Sequence, residues 1–162
     1  MALNAYMKLT GDTQGNIAGS VTQSGREDSM MIIAYSHEIV SPRDAASGLP
    51  TGKRQHKPMT VTKELDKATP LLTNLLVNNE NVSQLEVRFW QPSPTGAEVQ
   101  HYTVELVNAS CAGIRTEMLN NKYAENMQHK EREHISFCYQ KIIMTWVDGG
   151  ITAEDDWEAP NV

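Results

Sequence analysis

The stretch Thr60-Val61-Thr62-Lys63-Glu64-Leu65-Asp66-Lys67-Ala68-Thr69-Pro70-Leu71-Leu72-Thr73-Asn74-Leu75-Leu76-Val77-Asn78-Asn79 decides the fold, because it passes from β-formers through a charged turn into a short apolar helix. A threonine directly before a proline and an apolar run is a helix start. Its hydroxyl accepts an orphan backbone N–H, and proline at the first helical position has no N–H to lose. The spacing predicts a helix from about Pro70 that stops at Asn78-Asn79. At 100° per residue, Leu71, Leu72, Leu75 and Leu76 share an arc of about 140°. Burying four leucines is worth roughly 6–12 kcal/mol before ordering entropy is subtracted. So short an amphipathic helix needs a sheet to lie on.

Downstream, Leu85, Val87 and Phe89 alternate with polar residues at the period of a half-buried strand, and Pro92-Ser93-Pro94-Thr95-Gly96 turns the chain into a second run at Tyr102, Val104 and Leu106. The two runs predict a hairpin. Further strands are expected at Asn4–Leu9, Ile17–Val21, Met30–Val40, Cys111–Met118 and twice between His134 and Val147, where Ile135, Phe137 and Tyr139 share one face and Ile142, Met144 and Trp146 another. Met30–Val40 is apolar almost throughout and reads as covered on both faces. Leu119–Glu133 is polar, with Leu119, Tyr123 and Met127 at helical spacing, and reads as a short helix or a solvated loop. With eight or nine strands and one clear helix, the chain is mainly β, a barrel or a sandwich.

The 162 residues are one domain's worth of chain, large enough for its own core. A net charge of −6 with dispersed acids argues against nucleic-acid binding, which needs a clustered basic face. The longest apolar run, Met30–Tyr35, is far short of a membrane span, and the N-terminus lacks the features of a secretory signal, so a cytoplasmic start is expected. From Ser41 to Pro58 there is no hydrophobic period, but there are prolines, glycines and the cations Arg43, Lys53, Arg54 and Lys57. A connection of this length is usually functional or mobile, and it reads as an extended basic loop.

Signals for chemistry are weak. Gly48–Arg54 resembles a phosphate-binding loop, but it is one residue short, has Arg54 where a serine or threonine belongs and is followed by a strand. Ser36 and His37, neighbours on a strand, point to opposite faces and cannot act together as nucleophile and base. No two histidines stand at the spacing of a helical zinc pair, and Glu154-Asp155-Asp156 lacks the pattern of a calcium loop. Neither a catalytic residue, nor a cofactor, nor a metal site is expected. Cys111 and Cys138 read as buried free thiols, a bridge between them remaining open. Trp90 and Trp157 stand in polar surroundings, as interface residues do or as locally packed ones.

Gly25-Arg26-Glu27-Asp28-Ser29-Met30, Ser36-His37-Glu38-Ile39-Val40, Pro42-Arg43-Asp44 through Gly48, Gly52-Lys53-Arg54-Gln55-His56-Lys57-Pro58, Thr62–Pro70 and Asp155-Asp156-Trp157 together resemble, in order and spacing, the haemolysin-coregulated protein (Hcp) family. The resemblance covers nearly the whole chain. It implies a two-sheet β-barrel with one helix on its side, similar in fold to phage tail tube proteins, and a single tube domain over 1–162. It also implies the inner-tube subunit of a type VI secretion system: hexameric rings stacked inside a sheath and expelled with a spike protein, some holding effector proteins in the lumen. Such a subunit is cytoplasmic before firing, then secreted without a signal peptide, and it is no enzyme. The chain departs from the family pattern at Ile143-Met144, where relatives often carry Thr-Trp, and at Gln140, where arginine is common.

On this reading the loop 41–58 meets the next ring through Arg43, Lys53, Arg54 and Lys57. Ser36, a polar residue interrupting an apolar run, looks into the lumen, against the alternative of a serine bonded inside the core. Two rival classes are a phage tail tube subunit and a monomeric ligand-binding β-barrel, which should contain a closed apolar cavity.

Overall fold

The computed structural model describes residues 3–158. Its strands are β1 (Asn4–Gly11), β2 (Gly15–Ile17), β3 (Met30–Ile32), β4 (Ala34–Ser36), β5 (Ile39–Val40), β6 (Gln55–His56), β7 (Met59–Glu64), β8 (Val82–Pro92), β9 (Glu98–Glu117), β10 (Arg132–Trp146) and β11 (Ile151–Asp156), with one α-helix, α1 (Thr69–Val77). Between Leu119 and Glu131 only a 3-10 turn at Ala124–Asn126 forms; Tyr123 and Met127 are exposed, so the helical spacing there covers no core.

Helix α1 sits where expected but starts differently. Ala68 occupies the N-cap and no side chain caps the helix. The Thr69 hydroxyl accepts the Asp66 N–H (3.1 Å) and donates to Glu133 Oε1 (3.1 Å), while Asp66 Oδ1 accepts the Ala68 N–H (2.9 Å). The buried face is also narrower than predicted: Leu72 and Leu75 are fully buried and Leu76 partly, while Leu71 is exposed. The stop is as read. Asn79 adopts a left-handed conformation (φ 48°), and the N–H groups of Asn79 and Glu80 return to the carbonyls of Leu76 (3.3 Å) and Leu75 (3.0 Å), a Schellman closure. Glu80 then accepts the backbone N–H groups of Thr13 and Gln14, both at 2.9 Å, and fastens the β1–β2 turn to the helix end.

Ladders run β2-β1-β8-β9-β10-β7-β4, every pair antiparallel, and β3 returns to pair with β1. Met30–Ile32 pairs with Ala5–Met7, Ala34–Ser36 pairs with Thr60–Thr62, and between them the Ile33 N–H donates to the Thr62 carbonyl (2.8 Å). One short segment therefore pairs with both edges of the sheet, so the ladder closes on itself as a barrel and removes those edges.

The predicted hairpin is β8–β9, turning at Gly96 (φ 87°). Two other boundaries move. The runs read as separate strands, Tyr102–Leu106 with Cys111–Met118 and the two halves of His134–Val147, are continuous in β9 and β10. Their inward faces change parity without a break: Val82 against Leu85 and Val87 in β8, Leu106 against Ala109 in β9, Tyr139 against Ile142 in β10. The switches line up across the sheet at Ser83, Asn108 and Gln140, which lie between paired neighbours of the three strands. Asn108 takes a left-handed φ of 51°, which asparagine tolerates better than other non-glycine residues. This row is a corner at which a long sheet folds over the core.

That core runs from Met7 and Leu9 through Met30, Val61, Leu72, Leu85, Leu106, Ile135 and Phe137. At its helix end lies a buried ion group. Lys63 Nζ reaches Glu133 Oε1 (2.7 Å), Asp66 Oδ1 (2.8 Å) and the Glu64 carbonyl (3.1 Å), with Lys63 and Glu133 side chains wholly buried. Cys111 and Cys138 are free thiols. Cys111 pairs with Phe137 and Cys138 with Ser110, so they stand on opposite faces of the sheet and the bridge left open is excluded. Burial pushes the Cys111 thiol up to about 11.

Candidate functional site

Residues 37–58 are not a structureless loop. They form an arm: β5 pairs with β6, Thr51 N–H returns to the Pro42 carbonyl (2.9 Å), Arg43 bridges Pro50, and Asp44 N–H meets the Leu49 carbonyl (2.9 Å). The tip is a tight turn in which Asp44 Oδ2 accepts from Ser47 N (2.7 Å) and Ser47 Oγ (2.6 Å), with Gly48 at a φ of 72°. Backbone pairing needs no hydrophobic period, which is why the composition read as a loop.

The predicted cations divide. Arg43 and Lys57 are exposed on the arm. Lys53 and Arg54 turn back onto the C-terminal segment: Lys53 Nζ donates to the Trp157 carbonyl (3.1 Å), and Arg54 donates to Asp155 Oδ2 (2.5 Å) and the Asp156 carbonyl (2.9 Å).

Beneath them lies a cluster that no sequence motif announces. His56, with a side chain 1% exposed, meets Tyr139 Oη through Nδ1 (2.8 Å) and Asp155 Oδ2 through Nε2 (2.6 Å). His37 Nε2 meets the same Tyr139 hydroxyl at 2.5 Å. Hydrogen bonding and charge from Arg54 hold Asp155 below the usual carboxylate range, against the opposing effect of burial and with help from His56. Burial, then the neighbouring His56, lowers the His37 pKa, and burial raises that of the Tyr139 phenol far above its ordinary value. Four segments contribute, so only the flanking of the loop by His37 and His56 was available as a signal.

Both tryptophans singled out pack locally. Trp157 donates Nε1–H to the Tyr139 carbonyl (2.5 Å) and lies against His56 (ring centroids 5.6 Å apart). Trp90 stacks under the Arg26 guanidinium (4.4 Å), which also pairs with Glu98. At Gln140 the amide bridges Asn108 (3.1 Å) and Asp156 (3.2 Å), so the departure from arginine leaves β10 tied to the C-terminal segment.

Ser36 is exposed, on the face of β4 opposite Tyr35, whose ring packs edge-on to Phe89 (5.2 Å). The core alternative for this serine is thereby removed. The same alternation corrects the reading of Met30–Val40 as covered on both faces: Met30 and Ile32 are buried, but Met31 and Ile33 are 46% and 47% exposed. Leu3, Ile33, Trp146, Val147 and Ile151 are all exposed and make an apolar rim: Leu3 and Ile33 line one shallow pocket, Trp146 lines the next, the two share Tyr35, Phe89 and His101, and Ile151 pairs with Trp146. Within the rim opens a cavity of about 270 Å³ lined by Tyr35, Phe89, His101, Tyr102, Val104 and Trp146. It is open to solvent and smaller than the usual ligand pocket, unlike the closed apolar cavity asked of a ligand-binding barrel. The outer side of β11 carries no ladder among the described residues. No three imidazole, thiol or carboxylate groups among those residues converge to hold a metal ion, and no helix is long and apolar enough to cross a membrane.

Comparison with known proteins agrees with this architecture. A family model described as "Type VI secretion system effector, Hcp" matches residues 6–146. The chain is 37% identical to the "Major exported protein" of Pseudomonas aeruginosa, over 99% of its own length and 98% of the relative's. A crystal structure described as "Hcp protein" superposes with a TM-score of 0.91 at 31% identity, covering 98% of this chain and 100% of that one. The "secreted protein Hcp3" of Pseudomonas aeruginosa does so with a TM-score of 0.80 at 30% identity, covering 98% and 100%. A closed barrel with one flanking helix, a projecting arm and a family match across most of its length together establish that this chain belongs to the Hcp family of type VI secretion system proteins.

Proposed function

We propose that this chain is a structural, non-catalytic inner-tube subunit: six copies close into a ring, rings stack into a tube, and the tube leaves the cell with the spike when the surrounding sheath contracts. The observation that carries the reading is the apolar rim. Leu3, Ile33, Trp146 and Ile151 are 71%, 47%, 47% and 68% exposed in the single subunit, beside a β11 edge whose outer side pairs with no strand among the described residues. Contiguous apolar surface and an unpaired strand edge are what a subunit hides in a neighbour, and head-to-tail contacts between identical copies close into rings. The arm, exposed at Arg43, Lys57 and the tip, is the element free to meet the next ring, and an acidic surface there would complement it. Ser36, on an exposed face, is the candidate lumen residue against which effector proteins are held.

The exported name of the Pseudomonas aeruginosa relative supports a cytoplasmic subunit that is later secreted. Light scattering coupled to sizing tests the ring. A mass near six subunits is expected, and a strictly monomeric species at micromolar concentration would refute it.

A further inference from the structure

The Tyr139 hydroxyl stands between two imidazole nitrogens, His37 Nε2 and His56 Nδ1, and has one proton and two lone pairs to offer them. Asp155, ionised beside Arg54, requires a proton on His56 Nε2. With both histidines neutral, the Tyr139 O–H donates to the bare Nδ1 of His56 and its oxygen accepts His37 Nε2–H. Every donor then has an acceptor. One added proton is tolerated. On His37 it changes no bond in the chain; on His56 it reverses the chain, with Nδ1–H donating to Tyr139 and the phenol proton turning to His37 Nε2, whose own proton moves to Nδ1 in the other neutral tautomer. A second added proton is not: both imidazoliums then donate to one oxygen, and the phenol proton is left without an acceptor in a residue only 4% exposed.

We propose that this shared hydroxyl makes the base of the arm a proton-operated latch, which holds with no imidazolium or one and releases the arm and the C-terminal segment when His37 and His56 are both charged.

The charged and titratable groups seen bonded to or flanking the cluster among the described residues fit this. Arg54 and Lys53 come from the arm, Asp155 and Asp156 from β11, and Cys138 and Tyr35 flank Tyr139 from β10 and β4. Asp155 is already engaged by Arg54, so it cannot offset two more positive charges. Because burial, then the neighbouring His56, lowers the His37 pKa, its contribution is complete above the ordinary histidine value of about 6.5 and is lost as pH falls through the lowered one. Asp155, lowered below the carboxylate range, stays charged through that window. The latch lies within one subunit and stands or falls separately from the ring.

Hydrogen exchange read by mass spectrometry on the full chain, at about pH 7.5 and about pH 5 with labelling times scaled for the intrinsic rate, tests it. At the lower pH, peptides covering 37–58 and 151–157 should exchange faster by about tenfold or more, while those of α1 and β8 keep their protection. His37→Gln, which donates or accepts without charge, should keep the arm protected at both pH values. Unchanged arm protection in the wild type at the lower pH would overturn the latch whatever the variant does. So would equal loss in His37→Gln, or loss spread evenly over helix and barrel.

Discussion

Replacing Lys63 by methionine keeps most of the side-chain volume and removes the cation paired with Glu133, its cross-strand partner from β10. Both side chains are fully buried, and Glu133 Oε2 already lacks a hydrogen-bond partner among the described residues. Removing one member of a buried pair leaves an uncompensated charge and costs about 3–5 kcal/mol, against a total stability of about 5–15 kcal/mol for a domain. Glu133→Gln should cost less, because Lys63 keeps Asp66 at 2.8 Å and the Glu64 carbonyl. The double variant Lys63→Met with Glu133→Gln should recover part of the loss, since no buried carboxylate then stands alone at Glu133. Urea unfolding followed by far-UV circular dichroism, at one fixed protomer concentration because assembly adds to apparent stability, gives the three midpoints. A cost below about 1 kcal/mol for Lys63→Met, or a double variant no more stable than Lys63→Met, would refute the ion group as a coupled unit.

Leu75→Asp puts a carboxylate under α1 at a residue 1% exposed and should cost several kcal/mol, read as loss of soluble, cooperatively unfolding protein. Arg43→Ser with Lys57→Ser, sparing the cations that anchor the arm, should leave ring mass unchanged and abolish tube growth seen by electron microscopy. Rings that dissociate would instead move the arm to the contact between neighbours within a ring. Ser36→Gln should preserve fold and ring but reduce co-purification of effector, because a longer side chain repeated around the ring narrows the bore; unchanged retention would take Ser36 out of the lumen.

Features written in contiguous residues were legible. The helix stop at Asn78-Asn79, the β8–β9 turn and the opening strand follow from local chemistry, and the order of short motifs pointed to the family. Features that depend on what stands opposite were not. Thr69 has the sequence of a cap, but its hydroxyl goes to Asp66 and to Glu133, which is 64 residues away. Leu71 has the right phase for the core, yet the sheet covers only the width of Leu72 and Leu75. Apolar residues on both faces of Met30–Ile33 were read as two-sided burial, when one face meets the core and the other lies exposed in the single subunit. The same pattern in a chain of identical copies is the mark of a surface kept for a neighbour.

The change of phase in β9 and β10 carries the strongest connection between fold and function. Read locally, a parity break means two strands; aligned at Ser83, Asn108 and Gln140, it means one bend shared by three. Gln140 is also where the corner meets the C-terminal segment, since its side chain bonds Asn108 and Asp156 and its carbonyl accepts the Trp157 N–H (3.3 Å). That segment holds the arm through Asp155, bonded to Arg54 and His56. A force on the arm therefore passes through His56 and Arg54 into β11 and Tyr139, and from there into the bend of the sheet. Helix α1 lies outside this path, fastened instead by Glu80 to the β1–β2 turn and by Thr69 to Glu133 at the opposite end of β10. The barrel is thus held at two separate places, and disturbing the arm should leave the helix end intact.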